Sequence, residues 1–247
     1  IPVSAPSHYE AVSAGDFAAA EAQAKSYWHA KLSQGTTYDI PEARVSNAWK
    51  AWLAYSLLNI HRINGFDEPH DGSGFYQLMY GISAALYCSE LDRYGLHDQA
   101  KLCLDTAIHY QNSDGLYTIN SGLPDQGAFL SALAEHYWLT GDKAWLRSVA
   151  QPMVKAGDWI IHQRAISPKT GVAAGLIKFK PYCDFPGPTC NYYGDTYCCM
   201  GLERAAKALR VLGMNDDAAR FETDAAEYRE AILKSMDAAT FVHDGVK

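Results

Sequence analysis

Three segments of this chain repeat one plan: a rich apolar helix, a glycine turn, then a second helix with a narrower apolar stripe. GFYQLMYGISAALYCSELDRYG is followed by HDQAKLCLDTAIHYQ, and DQGAFLSALAEHYWLTGD by KAWLRSVAQPMVKAGDWIIHQR. NYYGDTYCCMGLERAAKALRVLG is followed by MNDDAARFETDAAEYREAILKSM. The turn glycines are Gly95, Gly141 and Gly213, 46 and 72 residues apart in succession. A recurrence of this length marks an array of helical hairpins, each burying its apolar face by stacking on its neighbours. The additional 26 residues of the last interval fall before Tyr193, in one expanded junction. The expected fold class is all-α.

The two helices of each hairpin differ. From Leu78 to Cys88 the first member is apolar almost all round, which implies burial on several sides. Its partner shows only Ala100, Cys103, Leu104, Ala107 and Ile108, the stripe of an outer helix. The last outer helix shows Phe221, Ala225, Tyr228 and Ile232 at the same spacing. Alternating inner and outer helices fit either two concentric layers or a stacked solenoid. Upstream, Asp16 caps a helix with a stripe of Phe17, Ala20, Ala24, Tyr27 and Trp28. Pro41 opens a second helix, over 42–63, carrying Val45, Trp49, Trp52, Ser56 and Ile60 and ending at the turn pair Asn64-Gly65. Only GVAAGLIKF, inside the expanded junction, hints at a strand. We divide the chain into an N-terminal segment with a linker helix, 1–40, and a helical domain, 41–247.

The net charge of −7 and the lack of a basic stripe argue against nucleic acid or an anionic membrane as partner. No run approaches the ~20 apolar residues of a membrane span. There is no P-loop, dinucleotide-binding glycine fingerprint, GxSxG or HExxH, so no cofactor is expected. No cysteine pair has zinc-finger spacing, so no metal is expected. Cys183 and Cys190 flank a Phe-Pro-Gly-Pro-Thr turn that a disulfide could bridge in an oxidising compartment, which leans the localisation to secreted or periplasmic. Both ends look cut, and the chain reads as a piece of a longer polypeptide.

If the inner helices run parallel, their starts gather at one mouth, and the loops leading into them line a common funnel with unpaired helix N–H groups. The first such loop holds His70, Asp71, Tyr76 and Gln77; the second holds Tyr117, Asp125 and Gln126. The third, CDFPGPTCNYYGDTYCC, holds Asp184, Asn191, Tyr192, Tyr193 and Asp195. The turns at the other end are short. Aromatic rings beside acids and amides are what sugar recognition uses, and glycosidic cleavage needs two carboxyl groups, one protonated and one ionised. Other readings stand beside this one: Asp125 and Asp195 each begin a helix and can serve as N-caps, and Asp114 fits turn chemistry. His109 and His136 read as structural.

The hairpin repeat and the phrases DGLY, DQGAFLSALAEHYWLTGDKAWL and DTYCCMGLERAAKALRVLG resemble the six-hairpin, (α/α)6-barrel glycosidases, broadly the glucoamylase-like and α-L-rhamnosidase-like catalytic domains. The stretch AEAQAKSYWHAKLSQGTTYDIPEARVSNAWKAWLAYSLLNI resembles the linker helix and first barrel helix that follow an N-terminal β-sandwich there. The resemblance implies that the hairpins form part of an (α/α)6 toroid, with the chain its N-terminal portion and the remaining polypeptide completing it. It implies a glycoside hydrolase acting on a carbohydrate, with the general acid in the loop before the third inner helix. Here only Asp184 or Asp195 can fill that role. The remaining named residues become substrate contacts: His70, Asp71, Tyr76, Gln77, Tyr117, Asp125, Gln126, Asn191, Tyr192 and Tyr193. A polysaccharide lyase or sugar epimerase on the same ring, or a non-catalytic helical-repeat scaffold, are the alternatives.

Overall fold

The computed structural model describes residues 14–72, 74–119, 125–179 and 187–241. These form two compact units, Ile1–Leu58 and Asn59–Lys247. The first unit holds α1 (Ala14–Leu32) and α2 (Ala43–Leu58). Leu53 and Ser56 are its buried residues, whereas Phe17, Tyr27, Val45 and Trp52 of the expected stripes are exposed. Trp28, Leu32, Tyr38, Trp49 and Leu53 line a groove of about 670 Å³ between the two helices. Among the described residues no helix is long and apolar enough to cross a membrane.

The second unit opens with a β-hairpin where sequence periodicity predicts the end of a helix. Strands β1 (Ile60–Ile63) and β2 (Phe66–Pro69) pair antiparallel, Ile63 opposite Phe66 and Ile60 opposite Pro69. Asn64 (φ 51°) and Gly65 (φ 88°) are both left-handed, the conformation a two-residue hairpin loop demands, so the Asn-Gly pair joins strands rather than ending a helix. The helix expected over 42–63 therefore stops at Leu58, and Ile60 belongs to the hairpin. GVAAGLIKF contributes only one bridge, Phe179 to Thr189; residues 171–175 are turn.

Six helices follow as three hairpins: α3 (Gly81–Arg93) with α4 (His97–His109), α5 (Asp125–Thr140) with α6 (Lys143–Ala165), and α7 (Tyr192–Val211) with α8 (Asn215–Ala239). The all-α hairpin fold expected from the repeat is the fold observed. Gly95, Gly141 and Gly213 close the hairpins at φ 77°, 69° and 80°. Leu96 N–H to Leu91 O (2.8 Å) and Met214 N–H to Leu209 O (3.1 Å) are the six-to-one bonds of glycine-capped helix ends. Any L-residue with a Cβ is strained in that conformation, so the repeated glycine is a geometric requirement.

Helices α3, α5 and α7 lie side by side, with α4, α6 and α8 outside them. Residues 125–134 of α5 are buried without a break, as expected of an inner helix, while α8 buries only a stripe of Ala218, Phe221, Ala225, Tyr228, Ile232 and Ser235. The α5–α7 approach is backbone to backbone: a Cβ on Gly127 would stand 2.1 Å from Tyr197 O, and one on Gly201 2.6 Å from Gly127 O. Cross-links order the inner layer. A Cβ on Gly81 would meet the Asp125 carboxyl at 2.1 Å at the helix starts, while Arg93 Nε donates to Glu135 Oε1 (2.8 Å) near the ends. The three inner helices thus run parallel and begin at one face.

Candidate functional site

That shared face brings together the three segments that sequence reading places on one rim. Asp125, first residue of α5, sits against the Gly81 backbone at the start of α3; Gly127 of α5 sits against Tyr197 of α7. From the first loop, Asp71 accepts from Ser83 Oγ on α3 (3.0 Å). Positions 81 and 83 lie about 5.4 Å apart in an α-helix, so two carboxyl groups flank the first turn of α3, where unpaired N–H groups favour negative charge. Partial burial raises the Asp71 carboxyl, against the Ser83 hydrogen bond and the nearby His70, which lower it. An exposed carboxyl with its proton affinity raised suits proton donation.

Aromatic rings stand beside these acids. Tyr76 is 56% exposed, with Phe75 at 5.1 Å and Tyr80 at 6.2 Å between ring centroids. Tyr193 is 51% exposed and meets Tyr197 edge-on at 5.1 Å. Burial raises its phenol, and Tyr197 and Asp125 push the same way. Gln77 is exposed on the first loop. Phe75, Tyr80, Ser83 and Tyr197 are absent from the sequence reading. Three of them sit within or beside helices, where spacing gives no sign that a side chain serves the mouth; exposed Phe75 lay in plain view beside Tyr76.

Other expected contacts point into the protein. His70 is buried, its Nε2 3.0 Å from Glu68 Oε2 and its ring stacked on His61 at 4.4 Å. Glu68 also accepts from Tyr110 (2.5 Å), so His70 belongs to an interior network and does not pair with Asp71. Gln126 accepts from Tyr117 N–H (3.0 Å) and donates to Gly115 O (2.6 Å) and Ala156 O (3.2 Å). Three backbone groups thus occupy its amide, and it fastens the second loop. Tyr117 is fully buried against Phe129, and burial pushes its phenol up. Asn191 is the N-cap of α7, accepting from Gly194 N–H (2.6 Å), which removes Asp195 from that role. Asp114 accepts from Leu116 N–H (3.2 Å), ordinary turn chemistry.

Asp195 is wholly buried and faces the outer layer. Its Oδ1 accepts from Ile177 N–H (2.8 Å) and Tyr228 O–H of α8 (2.5 Å), while its Oδ2 is buried and, among the described residues, has no hydrogen-bond partner. Burial raises its pKa to about 6, against lowering by Tyr228, Ile177 N–H and Arg164. Its acidity suits a general acid; its seclusion does not, because a general acid must reach the proton it delivers. Tyr192 also turns outward, its hydroxyl 2.9 Å from Ser235 Oγ. Asp184 lies outside the described residues. Among the described residues no group of three or more His, Cys, Asp or Glu is arranged to hold a metal ion.

No protein-family model matches the chain, and no curated protein sequence matches it. Among solved structures, the fold is similar to that of a GH78 family rhamnosidase from Bacillus sp. GL1, with a TM-score of 0.62 at 14% identity over 85% of this chain and 22% of that one. It is also similar to the α-L-rhamnosidase from Dictyoglumus thermophilum, with a TM-score of 0.53 at 15% identity over 81% of this chain and 23% of that one. At such identity the likeness is one of fold. The chain spans about a fifth of the length of either structure.

Proposed function

We propose that the chain is part of a glycoside hydrolase whose sugar site is the mouth formed by the starts of α3, α5 and α7, with the hairpins α3–α8 forming part of an (α/α)6 toroid. The observation that carries this is the exposed Asp71 carboxyl held on Ser83 in the first turn of α3, with the exposed ring of Tyr76 on the same loop and that of Tyr193 at the start of α7. The rings offer faces to the apolar side of a pyranose; Gln77 binds hydroxyls. Asp71, exposed and raised, is the proton donor to the leaving oxygen. Asp125, buried against the Gly81 backbone, does not reach substrate, and the second carboxyl group would come from the polypeptide that completes the toroid. The fold likeness to two rhamnosidases makes a 6-deoxyhexoside the first substrate to try.

The test is turnover of a panel of 4-nitrophenyl glycosides, α-L-rhamnopyranoside among them, by the purified protein. A positioned general acid contributes ~10²–10⁴-fold where the leaving oxygen needs a proton, so Asp71→Asn lowers kcat by at least about a hundredfold on the methyl glycoside of whichever sugar is cleaved, and far less on its 4-nitrophenyl glycoside. The wild-type kcat/KM falls as pH rises through the Asp71 pKa, and that limb is missing in the variant. Wild-type turnover of the methyl glycoside by Asp71→Asn excludes the proton-donor role.

A further inference from the structure

The third mouth loop is held from behind, by the outer helix. Tyr192 and Asp195, three residues apart, share one face of the first turn of α7; Ser235 and Tyr228, seven apart, share one face of α8. The two faces meet as Tyr192 O–H with Ser235 Oγ (2.9 Å) and Asp195 Oδ1 with Tyr228 O–H (2.5 Å). Cys199 Sγ donates to Ala225 O (3.4 Å) one turn further on. Tyr228 and Asp195 are buried, so the bond between them is shielded from water, while the Tyr192–Ser235 bond is half-buried.

The same Asp195 oxygen also takes Ile177 N–H at 2.8 Å. Two residues on, Phe179 pairs with Thr189 through reciprocal backbone bonds of 3.0 and 3.1 Å, closing a stem from which the loop departs. The Phe179 ring lies so close to Gly194 that a Cβ there would stand 2.7 Å from it. One carboxylate oxygen therefore joins three parts: α8, the stem, and the turn of α7 that presents Tyr193. Arg164 of α6 lies 4.3 Å over the Tyr228 ring and pairs with Asp224, fixing the ring that carries the hydroxyl.

We infer that Tyr228 is a positioning residue for the mouth: acting through Asp195, it sets where the stem 177–179 and the Tyr193 ring stand, without meeting substrate. This deepens the reading of the mouth as a sugar site and rests on it, but its structural half is tested separately. Tyr228→Phe keeps the ring under Arg164 and removes only the hydroxyl. Hydrogen–deuterium exchange of the purified protein should show peptides covering 176–179 and 187–191 exchanging about tenfold faster in that variant, with α3 to α6 unchanged. Asp195→Ala should do the same, and Asp195→Asn, which keeps the accepting oxygen, should restore slow exchange. On any 4-nitrophenyl glycoside the wild type cleaves, Tyr228→Phe should raise KM several-fold with kcat nearly held. Unchanged exchange at 176–179, or equal acceleration across the unit, overturns the assignment. A wild type that cleaves no glycoside while the exchange pattern holds removes only the hydrolase reading.

Discussion

Replacing Asp195 by Asn should change how stability depends on pH, by an amount the structure fixes. Burial lifts this carboxyl from 3.8 to about 6. A group whose pKa is higher folded than unfolded binds its proton more tightly in the folded state. Its contribution therefore favours folding as pH falls through 6 and stops growing below 3.8, opposite to the usual salt-bridged aspartate. At ~1.4 kcal/mol per unit, keeping Asp195 ionised costs about 3 kcal/mol at pH 7 and less than about 1 kcal/mol at pH 4. Asn keeps the oxygen that accepts from Ile177 and Tyr228 and does not titrate. It also places an NH₂ where Oδ2 is buried and, among the described residues, without a hydrogen-bond partner. That group adds an offset of about 1–3 kcal/mol, but the offset is the same at every pH. Only the difference between pH values isolates the carboxyl. Urea unfolding followed by far-ultraviolet circular dichroism at pH 4, 5, 6 and 7 should show Asp195→Asn gaining about 2 kcal/mol on the wild type from pH 4 to pH 7. For a unit of this size that is a relative rise in Tm of roughly 5–10 °C. Parallel stability curves would show that Asp195 titrates as a solvated carboxyl, and the burial argument would fail.

Two further substitutions separate packing from recognition. Gly127→Ala sets a methyl against the Tyr197 carbonyl across the α5–α7 contact, where neither backbone can move alone, and should cost about 3 kcal/mol in urea unfolding. Tyr193→Ala removes a half-exposed ring from the mouth; it should weaken binding of the cleaved glycoside about three- to tenfold by isothermal titration and leave Tm within a degree or two.

Much of the architecture is legible because it depends on features that repeat. The hairpin glycines occupy left-handed positions closed to other residues, so Gly95, Gly141 and Gly213 mark three turns without ambiguity. Of the inner helices, α5 announces itself by an unbroken buried run over 125–134, whereas α7 carries Glu203, Arg204, Lys207 and Arg210 and buries a stripe. Local competition explains the miss at Asn64-Gly65: the same dipeptide ends helices and joins strands, and only the flanking residues decide. Ile60 to Ile63 have a β-branched residue at each end, and Phe66 to Pro69 ends on a residue that suits a strand edge, which favours the hairpin.

The site divides along a different line. Sequence reading can say which loop a residue is on, but not which way its side chain turns there. Tyr192 and Tyr193 are adjacent in sequence and similar in kind, yet one bonds to Ser235 at the outer helix and the other stands exposed beside Tyr197. The first turn of a helix rotates successive side chains by about 100°, so neighbouring residues there must serve different layers. Asp195 follows the same rule: three residues after Tyr192, it shares the outward face and is drawn to Tyr228. A residue that faces the mouth must therefore lie off the 192–195–199 stripe, and on this turn Tyr193 and Tyr197, four apart, are the pair that satisfies it. The loop's aspartate at the helix start stabilises the scaffold that presents the ring. On the proposed reading the carboxyl chemistry at this face falls to Asp71, whose attachment to α3 is set by Ser83, a residue far too plain to draw notice in a string of letters.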